Sequence, residues 1–258
     1  AFRKEAIIDV DGTVAETTGQ CKEGMDIAYN GIWGYAPLIV TLANSREALY
    51  LVNRPGSRPS SDGAAIWMDR AIDLCEPVFE KVTLRGDTDF SLTSNFDRWD
   101  DRGVRFVFGY DAKKNLVDLA DALPESGWQA LQRPPRYEIK TEERRRPENV
   151  KEQVVKHREF ENIRLESEQV AEFDYRPGHC QKAYRMVVLR KNLTIEKGER
   201  RLFDDVRYFF YITNDRGMSM QEVVLFANDR CNQENVIGQL KSGVNALRMP
   251  SDGFEANW

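Results

Sequence analysis

Asp9 and Asp11 stand one residue apart at the end of an apolar run, Ala6-Ile7-Ile8-Asp9-Val10-Asp11-Gly12-Thr13-Val14. In an extended strand residues i and i+2 share a face, so both carboxylates would point toward one cation or one phosphate. Two phosphoryl-transfer chemistries use such a pair. In one, carboxylate oxygens hold a hard divalent cation. In the other, Asp9 attacks phosphorus and forms an aspartyl-phosphate while Asp11 serves as general acid. The pair alone does not choose between them.

The elements that would position these acids follow from hydrophobic patterning and turn signals. Residues 5–11 read as a buried strand and 12–35 as a long polar, Gly-rich loop. Residues 36–42 and 47–52 are β-rich runs joined by Ala43-Asn44-Ser45-Arg46, a hairpin signal. After the Arg54-Pro55-Gly56 break, Ser60 or Ser61 is placed to cap a helix with Ala65, Met68, Ile72 and Cys75 on one face. A strand over 81–87 ends in Asp87, a helix runs from Leu92 to Arg102 and stops at Gly103, and strand 104–109 precedes a short helix at 114–123. Strands are expected at 186–189 and 208–213, and one last helix from Ser219 through Leu240. The order β-β-β-α-β-α-β-α is that of an α/β, RNase H-like mixed-sheet core. It divides the chain into a first core part (1–123), a largely β insertion (124–217) and a C-terminal catalytic helix (218–258). Such a core needs acids on the first strand, at the end of the fourth strand and on a late helix. Asp11, Asp87 and Glu234 fill those places.

The spacing Arg230-x3-Glu234-x6-Lys241 resembles the Tyr-x2-Arg-x3-Glu-x6-Lys signature of DDE transposases from bacterial insertion sequences. Asp9-Val10-Asp11-Gly12-Thr13 is similar to the Asp-x-Asp-x-Thr strand end of the group 1 DDE transposase family. Tyr29-Asn30-Gly31-x2-Gly34-Tyr35-x-Pro37-Leu38, Arg54-Pro55-Gly56 with Asp62-Gly63-Ala64, and Arg85-Gly86-Asp87-x2-Phe90 resemble its later motifs in the same order. Two positions depart: Ala227 stands where the signature has tyrosine, and Asp89 where glycine precedes Phe90. The resemblance implies a metal-dependent enzyme that cuts DNA at insertion-sequence ends and transfers the strand. Asp11, Asp87 and Glu234 would be catalytic and hold two Mg²⁺ ions (Mn²⁺ substituting), with Asp9 as an auxiliary ligand. One ion would activate water or a DNA 3′-hydroxyl, and the other would stabilise the leaving oxygen. Arg230 and Lys241 share the helical face of Glu234 and would contact phosphates; an ordinary charged helix face is the alternative. The implied partners are double-stranded DNA with terminal inverted repeats and a second copy of the chain, in the bacterial cytoplasm and without a membrane. A helical DNA-reading domain normally precedes such a core, and a chain that opens on Ala1 is expected to be a piece of a longer protein.

Composition sets milder bounds. The chain has 258 residues, 41% of them hydrophobic and 31% charged, and its net charge is −5. No apolar run reaches membrane-spanning length. Four scattered cysteines and two histidines lack the spacing of a zinc site and read as free thiols and isolated imidazoles. The net charge does not advertise nucleic-acid binding, but Arg133, Arg136, Lys140, Arg144, Arg145, Arg146, Lys151, Lys156 and Arg158 make one segment locally basic. Trp128, Tyr137 and Tyr184 are candidates to stack on bases, with core packing the plainer role. Two competing functions stay open. A haloacid dehalogenase-like phosphatase would use Asp9 as nucleophile, although its doubly wound fold gives the 36–52 hairpin no place. A decayed transposase would bind DNA without cutting it.

Overall fold

The N-terminal apolar run forms β1 (Ala6–Gly12), buried along most of its length. In this computed structural model, which describes residues 4–19, 21–134, 150–198 and 200–257, the chain divides into two units. One comprises Ala1–Asp111, Phe173–Met186 and Tyr211–Trp258, the other Ala112–Glu172 and Val187–Phe210.

In the first unit the polar stretch after β1 is not structureless. β2 (Ala15–Glu16), β3 (Asp26–Ile27) and β4 (Trp33–Tyr35) form a small sheet of order β2-β4-β3. Gly34 and Gly56 let backbones meet there: a Cβ on Gly34 would lie 2.1 Å from the Ala15 carbonyl oxygen, and one on Gly56 would lie 2.2 Å from that of Gly34. The expected hairpin is β5 (Leu38–Leu42) and β6 (Glu47–Val52), with Arg46 at φ 63° in its turn. Helix α1 (Ala64–Cys75) leads to β7 (Val82–Gly86), and α2 (Phe96–Asp101) to β8 (Arg105–Tyr110). β1 pairs antiparallel with β5 and parallel with β7, β5 pairs antiparallel with β6, and β7 pairs parallel with β8. The order β6-β5-β1-β7-β8, a meander followed by parallel strands reached through helices, is the RNase H-like arrangement. It excludes the doubly wound sheet that a phosphatase of the Asp9-nucleophile type requires.

Two local expectations are corrected. Helix α1 is entered from Gly63, at φ 68°, without a side-chain cap. Its buried face therefore begins at Ala64, not Ala65, and continues through Met68, Ile72 and Cys75. The last helix is broken. Ser219 and Glu222 form a capping box at the start of one helix, Met220–Asn228. A second helix covers Cys231–Gly238, and a π-helical turn covers Gln239–Gly243. At the break the Asn232 amide turns to Asp229, donating to its carbonyl at 3.4 Å and to Oδ1 at 3.2 Å. Asn and Asp favour such local bonds over helix continuation.

The second unit holds α3 (Lys114–Asp121), β9 (Gln129–Ala130), α4 (Val150–His157) and most of three long strands, β10 (Glu161–Tyr175), β11 (Tyr184–Lys197) and β12 (Arg200–Thr213). The two helices after α4 are α5 (Met220–Asn228) and α6 (Cys231–Gly238). Trp128 is buried beneath the Arg190 guanidinium, 4.1 Å from its ring centre, and the Tyr208 hydroxyl donates to Asp121 at 2.6 Å. Tyr184, in the first unit, is buried and donates to Asp97. Both aromatics are packing residues in this arrangement. Tyr137, Arg136, Lys140, Arg144, Arg145 and Arg146 lie outside the described residues. Arg133 is paired with Glu168 at 2.6 Å.

One buried ion pair ties the core of the first unit together. Asp9 and Arg85 are register partners on β1 and β7, each 1% exposed. Arg85 donates Nε to Asp9 Oδ1 at 2.6 Å and Nη2 to Oδ2 at 2.8 Å. Its Nη1 donates to the Phe226 carbonyl at 2.7 Å, while the guanidinium lies over the Phe226 ring at 4.7 Å. Removing one partner of such a pair strands a buried charge. Arg85→Ala is therefore expected to lower unfolding free energy by about 3–5 kcal/mol in urea titration. A loss below about 1 kcal/mol, the range of surface pairs, would contradict this role.

Candidate active site

Strand alternation carries the Asp9–Arg85 register two residues further, to Asp11 and Asp87. Side chains at i and i+2 share a face on both parallel strands. The first pair along that face is an opposite-charge pair and the second is two carboxylates. The second pair lies at the carboxyl ends of β1 and β7, where open α/β sheets place their sites. Asp11 Oδ1 accepts from the Gly12 backbone N–H at 2.8 Å, and Asp87 Oδ1 accepts from that of Asp89 at 3.0 Å. Arg230, the residue leading into α6, spans the two: Nη1 donates to Asp11 Oδ2 at 3.0 Å, and Nη2 lies 3.7 Å from Asp87 Oδ2. A cleft of about 640 Å³ opens beside them, lined in part by Asp11, Gly12, Arg54, Ser60 and Asp87.

These acids titrate high. Burial pushes the Asp11 carboxyl up to about 6; the neighbouring Asp87 adds to the shift and Arg230 opposes it. Burial also raises Asp87, with Asp89 contributing and Arg230 again opposing. The pair fits a small divalent cation by donor chemistry, since two hard carboxylates share one counter-charge and face open space. Here that counter-charge is the Arg230 guanidinium.

The other residues singled out by sequence lie elsewhere. Asp9 has both oxygens on Arg85, inside the buried pair and away from the Asp11–Asp87 pair that Arg230 joins. Glu234 is exposed on α6, one turn beyond Arg230, and Lys241 is exposed within the π-helical turn. Among the described residues no three Asp, Glu, His or Cys side chains converge as a metal-binding group. Inward from Glu234, Gln233 is buried and its Nε2 donates to the Ile39 carbonyl at 3.3 Å. Ile237 packs with Tyr35, Ile39, Leu247 and Met249. No functional motif in the sequence singles out Arg85 as the partner of Asp9. Its signal was an arginine inside the apolar run Val82-Thr83-Leu84-Arg85-Gly86, where a charge must find a buried partner.

Asp11 makes the fold weaker at neutral pH than it would otherwise be. Its folded-state pKa is about 6 against an ordinary 3.8, so ionising it costs folding free energy. That cost is absent below about pH 4 and complete above about pH 6. Asp11→Asn is expected to stabilise the chain by on the order of 2 kcal/mol near pH 7.5, and the gain should vanish by about pH 4, as read by urea unfolding. An equal gain at both pH values would contradict the assignment.

A comparison with curated proteins gives no match. Among solved structures the chain is similar to a piggyBac transposase, in a cryo-EM synaptic complex with hairpin DNA, at 11% identity and a TM-score of 0.45. The match covers 93% of this chain and 41% of that one, so the chain spans under half the length of that protein. The model of the family described as transposase DDE domain group 1 matches residues 1–258. The chain belongs to the group 1 DDE transposase domain family.

Proposed function

We propose that the chain is the catalytic domain of an insertion-sequence transposase that cuts DNA and transfers the cut strand with divalent metal. The observation that carries this reading is the placement of Asp11 and Asp87 side by side at the carboxyl ends of β1 and β7, sharing one cation and facing a cleft. The two would hold Mg²⁺ or Mn²⁺, with Glu234 as the third acid supplied from α6. When bound, the metal supplies charge for the attacking and leaving oxygens of an in-line displacement. The chain itself contributes the alignment. The Asp9–Arg85 pair fixes the two strands in register, and the Gly12 and Asp89 amides orient one oxygen of each acid. Arg230 and Lys241 supply phosphate contacts in this reading. The DNA would carry terminal inverted repeats, held by a homodimer in a bacterial cytoplasm.

The test is metal-dependent nicking of duplex DNA carrying the element's terminal repeats. Asp87→Asn and Glu234→Gln are each expected to reduce it on the order of a thousandfold while leaving DNA binding in place. Binding without any nicking by the parent chain would favour a decayed, binding-only derivative. Hydrolysis of small phosphate esters that depends on Asp9 would favour the phosphatase and sink this proposal.

A further inference from the structure

Arg54 is 7% exposed, and no carboxylate is among its hydrogen-bond partners. Its Nε donates to the Ala36 carbonyl at 2.8 Å, and Nη1 donates to those of Ser60 at 2.8 Å, Asp62 at 2.9 Å and Pro59 at 3.4 Å. The remaining nitrogen, Nη2, has no hydrogen-bond partner among the described residues. An arginine carries five donors, and leaving some unmade in a buried place costs free energy unless something else meets them. Burial lowers this guanidinium to about 10, with the Asp62 charge opposing the shift and Arg58 adding to it.

Nη2 is itself buried and lies beside Gly12 and Ser60. A Cβ added to Gly12 would sit 3.6 Å from it and 3.4 Å from the Ser60 hydroxyl oxygen. Arg54, Ser60 and Gly12 all line the cleft that holds Asp11 and Asp87. Two further lining residues point to the ligand class. Arg58 is exposed and, among the described residues, its side chain pairs with Asp62 alone, at 3.1 Å within its own loop, and exchanging such a pair for a phosphate costs little. Tyr29 is 91% exposed, an aromatic face of the kind on which bases stack. A buried donor left unmet, a hydroxyl, a loosely held cation and an exposed aromatic ring describe a site for one nucleotide unit.

We propose that this cleft seats a backbone phosphate of a DNA strand, next to the one at Asp11 and Asp87, over Arg54 Nη2 and the Ser60 hydroxyl. Arg58 leaves Asp62 for the same phosphate, and Tyr29 stacks on the adjoining base. The inference rests on the DNA reading above and adds a strand path to it.

The experiment measures binding of the full chain to a labelled duplex carrying the terminal repeats, without divalent metal, across salt concentrations. Arg58→Gln is expected to lower the slope of log affinity against log salt by about one. Tyr29→Ala is expected to weaken binding about tenfold. Gly12→Ala, which crowds Ser60, should also weaken it. In a scan of single methylphosphonate linkages, one position should weaken the parent chain more than it weakens Arg58→Gln. If the parent binds but all three variants match it and no linkage separates parent from Arg58→Gln, the cleft assignment is overturned alone. If the parent does not bind the duplex, both readings fall. If binding and the linkage effect are present but the parent chain does not nick the same duplex once Mg²⁺ is added, the cleft assignment stands and the cleavage reading falls.

Discussion

The Asp9–Arg85 pair is the constraint from which the site follows. Two charges buried at 1% exposure can be held only by near-complete mutual hydrogen bonding, and that geometry fixes the register of β1 against β7. Once the register is fixed, alternation leaves no freedom for the next pair outward. Asp11 and Asp87 must emerge side by side at the strand ends. Arg85 also reaches the Phe226 carbonyl and, at 3.5 Å, Asp229. The end of α5 is thereby tied to the same two strands, and the loop carrying Arg230 begins beside the carboxylates it joins.

Arg230 shows how a cluster of like charges persists in a folded chain. Two acids set close together and partly buried would repel each other and favour protonation. The guanidinium offsets this without abolishing it, because burial still dominates at both acids. The result is a pair of carboxyls both raised by burial, held by one guanidinium and loosely enough compensated to accept another cation.

Much of this was legible in the sequence where short-range chemistry decides the outcome. The first strand, the hairpin with its Ala43–Arg46 turn, the stop at Gly103 and the Ser219 start all follow from local signals, and strand order fixed where Asp11 and Asp87 had to lie. Tertiary pairing hid the rest. Asp9 reads as a chemical group because nothing local shows that it will pair with Arg85. A single helix was expected over 219–240 because its hydrophobic pattern runs on, whereas side-chain bonds at Asp229 and the pull of Asp11 on Arg230 interrupt it. The small sheet inside 12–35 was invisible because two- and three-residue strands carry no periodicity, and their pairing rests on the bare backbones at Gly34 and Gly56. β10 was missed because its outer half, Glu161–Glu166, alternates charge with apolar residues that the structure leaves exposed, so no buried face announces it.

The loop from Arg54 to Asp62 is wound around the arginine that opens it. Its carbonyls converge on one internal cation, much as a short peptide wraps a bound ion, so its shape is set from within. The side chains on the outside of that winding, Ser57, Arg58 and Ser61, contribute none of the bonds to the guanidinium. Residues at those three places can change while the winding persists. The loop thus separates the scaffold that holds its shape from the rim that meets what enters the cleft, and the rim can be altered without dismantling the scaffold beneath it.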